Sequence, residues 1–195
     1  MKLETVKQQI RASIDTKEKL ISDEALMNSV LALSMQCSSA LRAGGKILFC
    51  GNGGSFADAQ HLSAEFTSRF LFDRPGLPSL ALGTNSSAMT AIGNDYGYEN
   101  VFAREIQAIA APNDVLIAIS TSGKSGNILK ALQAAKEKNV STAVLTGAGM
   151  GLLPMDVQVL HMPSLDTARI QECHILIGHI ICGLVEADMF SELRS

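Results

Sequence analysis

Two short apolar runs constrain this chain more than any other feature. Lys46-Ile-Leu-Phe-Cys50 leads into Gly51-Asn-Gly-Gly-Ser55, and Asp114-Val-Leu-Ile-Ala-Ile-Ser120 leads into Thr121-Ser-Gly-Lys-Ser125. Each loop of small residues opens a helical pattern. A strand that is apolar on both faces and feeds a helix belongs in a parallel sheet covered on both sides. Periodicity predicts further strands at 79–82, 141–146 and 157–162. It predicts helices over 55–70, 87–92, 99–110, 127–138 and 167–190. The expected class is α/β, a doubly wound parallel sheet preceded by a helical pair.

That pair occupies the first forty-odd residues. Val6, Ile10, Ile14 and Ile21 fall near helical spacing, as do Leu26, Val30, Leu33, Met35 and Leu41. Ser22 or Asp23 suits the second helix's N-cap, and Gly44-Gly45 suits its end. Such a segment packs on its own domain or on a partner subunit. The 195 residues allow one domain with this appendage, and residues 1–195 are taken as a single domain. Hydrophobic residues at 47% and charged ones at 18% support a large core and exclude wholesale disorder.

A net charge of −3 and an aromatic content of 5% argue against a nucleic-acid partner. Cys37, Cys50, Cys173 and Cys182 form no C-x-x-C pair and are expected to be buried, reduced thiols. The first residues lack the apolar core of a secretory signal. The longest apolar run, 175–185, is interrupted by His179 and is too short to span a bilayer. The expectation is a cytoplasmic protein with no membrane partner.

Ligands of open α/β sheets bind beyond the carboxyl ends of the strands. The loop at 50–55 offers glycines for close backbone approach and a helix N-terminus for an anion. It lacks the Gly-Lys-Ser/Thr of a Walker loop, and Phe56 stands where the dinucleotide fingerprint has its third glycine. Alone it is also what an ordinary strand–helix turn looks like. The loop at 120–125 sets Ser120, Thr121, Ser122 and Ser125 at a helix start. Capping accounts for one or two of these hydroxyls but not for all four. Together the loops favour a phosphorylated small molecule. Lys124 is expected to be a solvated surface lysine.

His61 and Glu65 stand four apart and project from one helical face. That pairing suits metal ligation, acid/base chemistry or a plain surface hydrogen bond. Gln171, His174 and His179 share the last helix. His179 interrupts an apolar run, where a histidine needs a partner. Helical spacing does not choose between His174 and His179. His161 and the cysteines are expected to be packing residues.

Five motifs, CGNGGS (50–55), ADAQHLSAE (57–65), AIGNDYGY (91–98), ISTSGKS (119–125) and TARIQECHILIGH (167–179), resemble the sugar isomerase (SIS) domain family over nearly the whole chain. The resemblance implies a three-layer αβα fold with a five-stranded parallel sheet, assembled as a homotetramer with residues 1–44 in the subunit interface. It implies interconversion of sedoheptulose 7-phosphate and D-glycero-D-manno-heptose 7-phosphate, an early step towards ADP- or GDP-heptose for bacterial surface polysaccharide.

By motif, Ser55, Ser120, Thr121, Ser122 and Ser125 would bind the phosphate. Asn52 and Gly53 would contact the sugar, with Asn94 and Asp95 nearby and Gln171 and Glu65 also touching substrate. His61, Glu65, Gln171 and His179 would hold one zinc ion per subunit, and Glu65 and His179 would be catalytic. The resemblance thus selects His179 over His174. Some members carry an acidic residue just before the arginine of this last motif; here that residue is Ala168, with Asp166 two positions earlier. A SIS relative that binds the replication initiator DnaA is the non-enzymatic alternative, and it differs from this chain at the position of Glu65.

Overall fold

In the computed structural model, which describes residues 2–149 and 151–193, β1 (Ile47–Gly51) is the strand from which the sheet is wound. It pairs in parallel with β2 (Ser79–Ala81) on one side and β3 (Val115–Ile119) on the other. β4 (Ser141–Thr146) and β5 (Gln158–His161) extend the sheet beyond β3, giving the order β2-β1-β3-β4-β5 with every pairing parallel. The chain therefore winds outwards from β1 in both directions. The carboxyl ends of β1 and β3 stand side by side, with Gly51 opposite Ile119. This is the topological switch point where open α/β sheets form a ligand crevice.

Side chains alternate across the sheet. Ile47, Phe49, Val115, Ile117 and Ile119 enter the core layer shared with α2 (Glu24–Arg42), α3 (Gly54–Thr67) and α7 (Thr167–Met189). Leu48, Cys50, Leu116 and Ala118 enter the opposite layer, under α5 (Val101–Ile109) and α6 (Gly126–Glu137). The remaining α-helices are α1 (Leu3–Ile21) and α4 (Ser86–Tyr96). The expected doubly wound, three-layer sheet with five strands is present. All four cysteines are buried and free. α7 is long and apolar enough by composition to cross a membrane, yet half of its most apolar stretch is buried within the fold.

Three local features depart from or refine the sequence reading. The helix expected over 55–70 ends at Thr67, because Arg74 takes up the carbonyls at its C-terminus. Asp23, rather than Ser22, caps α2 by accepting the Leu26 N–H at 2.9 Å. His161 is exposed on the edge strand rather than packed, with Nδ1 3.0 Å from the Gly147 carbonyl.

The N-terminal part of the apolar face of α1 is left open, whereas Leu20 near its end is buried in the core. Val6, Ile10 and Ile14, spaced at one turn each, are 56%, 57% and 43% exposed. Between α1, the start of α2 and α7 lies an apolar groove of about 400 Å³ lined by Ile14, Leu20, Ile21, Met27, Leu176 and Ile180.

Candidate active site

The loop after β1 and the first turn of α6 meet at the crevice through a reciprocal amide pair. Asn52 Nδ2 donates to Asn127 Oδ1 (2.9 Å), and Asn127 Nδ2 donates to Asn52 Oδ1 (2.8 Å). Tyr98 Oη donates to the same Asn52 oxygen (3.2 Å). Gly53 precedes α3 at φ +56°, a backbone conformation that favours glycine, and makes the turn from β1 into α3, in which the Asn52 and Gly53 carbonyls accept the N–H groups of Ser55 (3.0 Å) and Phe56 (3.1 Å). Ser55 is buried on the first turn of α3.

On the neighbouring loop the hydroxyls divide. Ser120 is buried and accepts the Gly123 N–H (3.2 Å); Ser122 accepts the Lys124 N–H (3.2 Å). Ser125 occupies the N-cap of α6, but its hydroxyl makes no capping bond among the described residues. It thus keeps its donor and acceptor for a ligand. Thr121, Ser122 and the exposed Lys124 line a cavity of about 230 Å³ with Gly149, Thr167 and Ile170.

α3 and α7 pack side by side and bring the remaining candidates together. His61 Nε2 lies 2.9 Å from His179 Nε2 and 3.2 Å from Glu65 Oε1. The potential donor atoms of these three residues all fall within 4.8 Å of one another. A tetrahedral ion with bonds of about 2.0–2.2 Å needs donors about 3.3 Å apart; the His61–His179 and His61–Glu65 spacings are close to this, and the donor types, two imidazoles and a carboxylate, suit zinc. Burial holds the His179 pKa below the usual value. The adjacent His61 pushes it the same way, and Glu65 opposes both. A low imidazole pKa keeps the ring neutral, as a ligand or proton acceptor must be. One turn before His61, Asp58 has its pKa raised by burial, partly offset by His61.

Gln171 reaches α3 at its first turn, where a Cβ on Gly54 would lie 2.6 Å from its Nε2. His179 meets α3 two turns later, at His61. The two histidines that spacing left unresolved are now separated: His174 is fully buried, and His179 faces the site. Asn94 and Asp95 sit exposed on the last turn of α4 and bond to each other (2.7 Å). The residue of their motif that touches the crevice is Tyr98. Asp166 acts as the N-cap of α7, accepting the N–H groups of Ala168 (2.8 Å) and Arg169 (3.4 Å).

Sequence reasoning did not single out Asn127, Tyr98 or Thr167. Tyr98 and Thr167 lie at the edges of two quoted motifs, and Asn127 carried a local signal as an amide in the first turn of a helix that follows a phosphate-type loop. Its burial depends on a partner 75 positions away.

A SIS domain is recognised over residues 10–147. A phosphoheptose isomerase of Aneurinibacillus thermoaerophilus is 51% identical over 186 residues, covering 95% of this chain and 94% of that protein. The chain belongs to the phosphoheptose isomerase family of SIS-domain proteins. A second family member, from Campylobacter jejuni, is 51% identical over 92% of this chain and 90% of its own length. Among solved structures, the phosphoheptose isomerase of Francisella tularensis superposes with a TM-score of 0.90 at 34% identity, covering 95% of this chain and 99% of that one. That of Neisseria gonorrhoeae gives 0.87 at 39%, covering 94% and 98%. The family is one of sugar-phosphate isomerases, and the chain is an isomerase of this kind.

Proposed function

We propose that this chain interconverts sedoheptulose 7-phosphate and D-glycero-D-manno-heptose 7-phosphate, as a cytoplasmic homotetramer with one zinc ion per subunit, supplying heptose for bacterial surface polysaccharide. The observation that carries the reading is the Glu65 carboxylate set against two imidazoles, on a sheet whose β3 loop carries four hydroxyls, that of Ser125 without a capping bond among the described residues. Family membership at about half identity supports the substrate.

Aldose–ketose isomerisation moves one proton between C1 and C2 and another between O1 and O2. Glu65 removes the C1 proton of the ketose, leaving an enediol, and returns it at C2 to give the aldehyde. His179 carries the proton between the two oxygens. Ser55, Ser120, Thr121, Ser122 and Ser125 grip the phosphate, supported by the start of α6. Asn52, Gly53 and Gln171 orient the sugar at the α3 end of the crevice. Anchoring the distant phosphate places C1 and C2 near Glu65 without stacking aromatics.

His61, Glu65 and His179 would hold zinc, with Gln171 as the fourth donor implied by the family motif. When bound, zinc supplies a Lewis acid that polarises the sugar oxygens. A fully bound Glu65 is a weaker base, so the carboxylate serves either the metal or the C–H proton at a given moment. The tetramer is supported by the unpartnered apolar face of α1, which is costly to leave in water.

The test is an NMR time course with sedoheptulose 7-phosphate, run with and without a chelator. Appearance of the aldose phosphate, slowed by chelation, is the expected result. No aldose from the untreated protein would overturn the activity, and an unchanged rate after complete metal removal would overturn the zinc.

A further inference from the structure

Arg74 lies outside every motif that carries the proposed chemistry, yet its side chain is 1% exposed and that of its partner, Glu186, is 0%. A buried ion pair is a poor way to add stability, since its desolvation cost rivals its attraction. The bonds this pair makes point to another use. Arg74 Nη2 donates to the Glu65 carbonyl (2.7 Å), and Nη1 donates to those of Phe66 (2.7 Å), Ser68 (3.0 Å) and Pro75 (3.1 Å). The guanidinium therefore caps the turn of α3 that carries Glu65, filling carbonyls a helix end leaves open.

Arg74 Nε donates to Glu186 Oε1 at 2.9 Å, which anchors that turn to α7. Glu186 also accepts the Phe70 N–H (2.8 Å) and the Leu71 N–H (2.7 Å). The Phe70 ring stacks on His179, with centroids 5.5 Å apart and planes 24° from parallel. Glu186 and His179 lie seven residues apart on α7, near one face. One buried pair thus holds the backbone of Glu65 and, through Phe70, the face of the His179 ring.

We infer that Arg74 and Glu186 are a positioning pair for the isomerase site, fixing Glu65 and His179 relative to each other, with Phe70 as the arm that reaches the imidazole. The inference rests on the isomerase reading for the roles of Glu65 and His179. It concerns residues that touch neither substrate nor metal.

The test compares wild type with Arg74→Lys, which keeps the charge but loses the fork, and Phe70→Leu, which leaves the ion pair intact but removes the stacked ring. Circular dichroism establishes folding. Two quantities are then read: kcat and KM with sedoheptulose 7-phosphate, and zinc affinity measured without sugar by competition with a chromophoric chelator. Positioning through a supporting shell predicts that kcat and zinc affinity each fall about tenfold or more, with KM little changed. Should Arg74→Lys fail to fold, Phe70→Leu alone decides. A folded Phe70→Leu variant with wild-type kcat and zinc affinity overturns the inference, and so does a rise in KM alone. An inactive wild type would sink the isomerase reading instead, and the zinc competition would still report on the positioning pair.

Discussion

Asn52 and Asn127 each donate an amide hydrogen to the other's carbonyl, at 2.9 and 2.8 Å, across the gap between the loop after β1 and the first turn of α6. The pair couples the proposed sugar-binding loop to the proposed phosphate-binding loop. Asn127→Asp keeps the shape but sets carboxylate oxygen against the Asn52 carbonyl and adds a negative charge beside the proposed phosphate-binding loop. An unsatisfied buried polar group costs about 1–3 kcal/mol, so urea unfolding should show a loss of that order. KM for the sugar phosphate should rise at the same time. A destabilised variant with wild-type KM would mean that the pair holds the fold but not the ligand loops.

Glu65 and His179 are partly exposed, with the Glu65 side chain 21% exposed, so neither supports much of the core. Glu65→Gln and His179→Gln should therefore keep the wild-type melting temperature to within a few degrees. Both should lose isomerisation by several orders of magnitude, because each removes a group proposed to move a proton. Single-turnover assays at saturating substrate measure this directly. Turnover near wild type in either variant would refute the role assigned to that residue.

The sheet and the two loops at its carboxyl edge were legible because their signals are local. Apolar runs of strand length end in Gly-Asn-Gly-Gly and Ser-Thr-Ser-Gly, and 3.6-residue periodicity follows each. His61 and Glu65 were legible because helical spacing alone aligns them. Arg74 with Glu186, and Asn52 with Asn127, were not. Their partners lie 112 and 75 positions apart, and nothing in a surface-type residue such as arginine announces its burial. The end of α3 failed for the same reason, since the guanidinium that terminates it comes from beyond the helix. The face of α1 was read as apolar, but whether it packs on its own domain depended on where the sheet's own helices lie.

His174 supplies a pH dependence separate from the site. It is fully buried, and burial pushes its pKa down to about 4, partly offset by the Thr146 carbonyl. The folded value is below the unfolded one, so the folded state prefers the neutral ring. The stability this contributes is fully present above about pH 6.5 and is lost as pH falls towards 4, by about 1.4 kcal/mol per unit. Denaturant titrations at intervals between pH 7 and 4 should show the slope. His174→Phe should flatten it, and an unchanged slope would assign acid sensitivity to other groups.

Gly54 separates the role of Gln171 from the stability of the fold. A methyl group here meets only the end of a flexible side chain, Gln171 Nε2 at 2.6 Å, which can swing away. Alanine is also the better helix former, by about 1 kcal/mol in a helix interior and by less at the first position of α3. Gly54→Ala should melt at or above the wild-type temperature while kcat/KM falls, because Gln171 no longer reaches the crevice. Unchanged kcat/KM would remove Gln171 from the proposed substrate and metal contacts.

The exposed face of α1 makes the proposed tetramer testable without touching the site. Ile10 and Ile14 are 57% and 43% exposed on the single chain, so a polar replacement there costs the isolated fold little. Buried against another subunit, the same change would place two carboxylates in an apolar contact, where each costs several kcal/mol or forces the contact open. Ile10→Glu with Ile14→Glu should therefore shift sedimentation from the tetramer to a smaller species and leave helix content unchanged. If the isomerase site is completed across that contact, activity should fall with the tetramer and recover as protein concentration rises. A fully active small species would confine the α1 contact to assembly, and an intact tetramer would exclude this face from it.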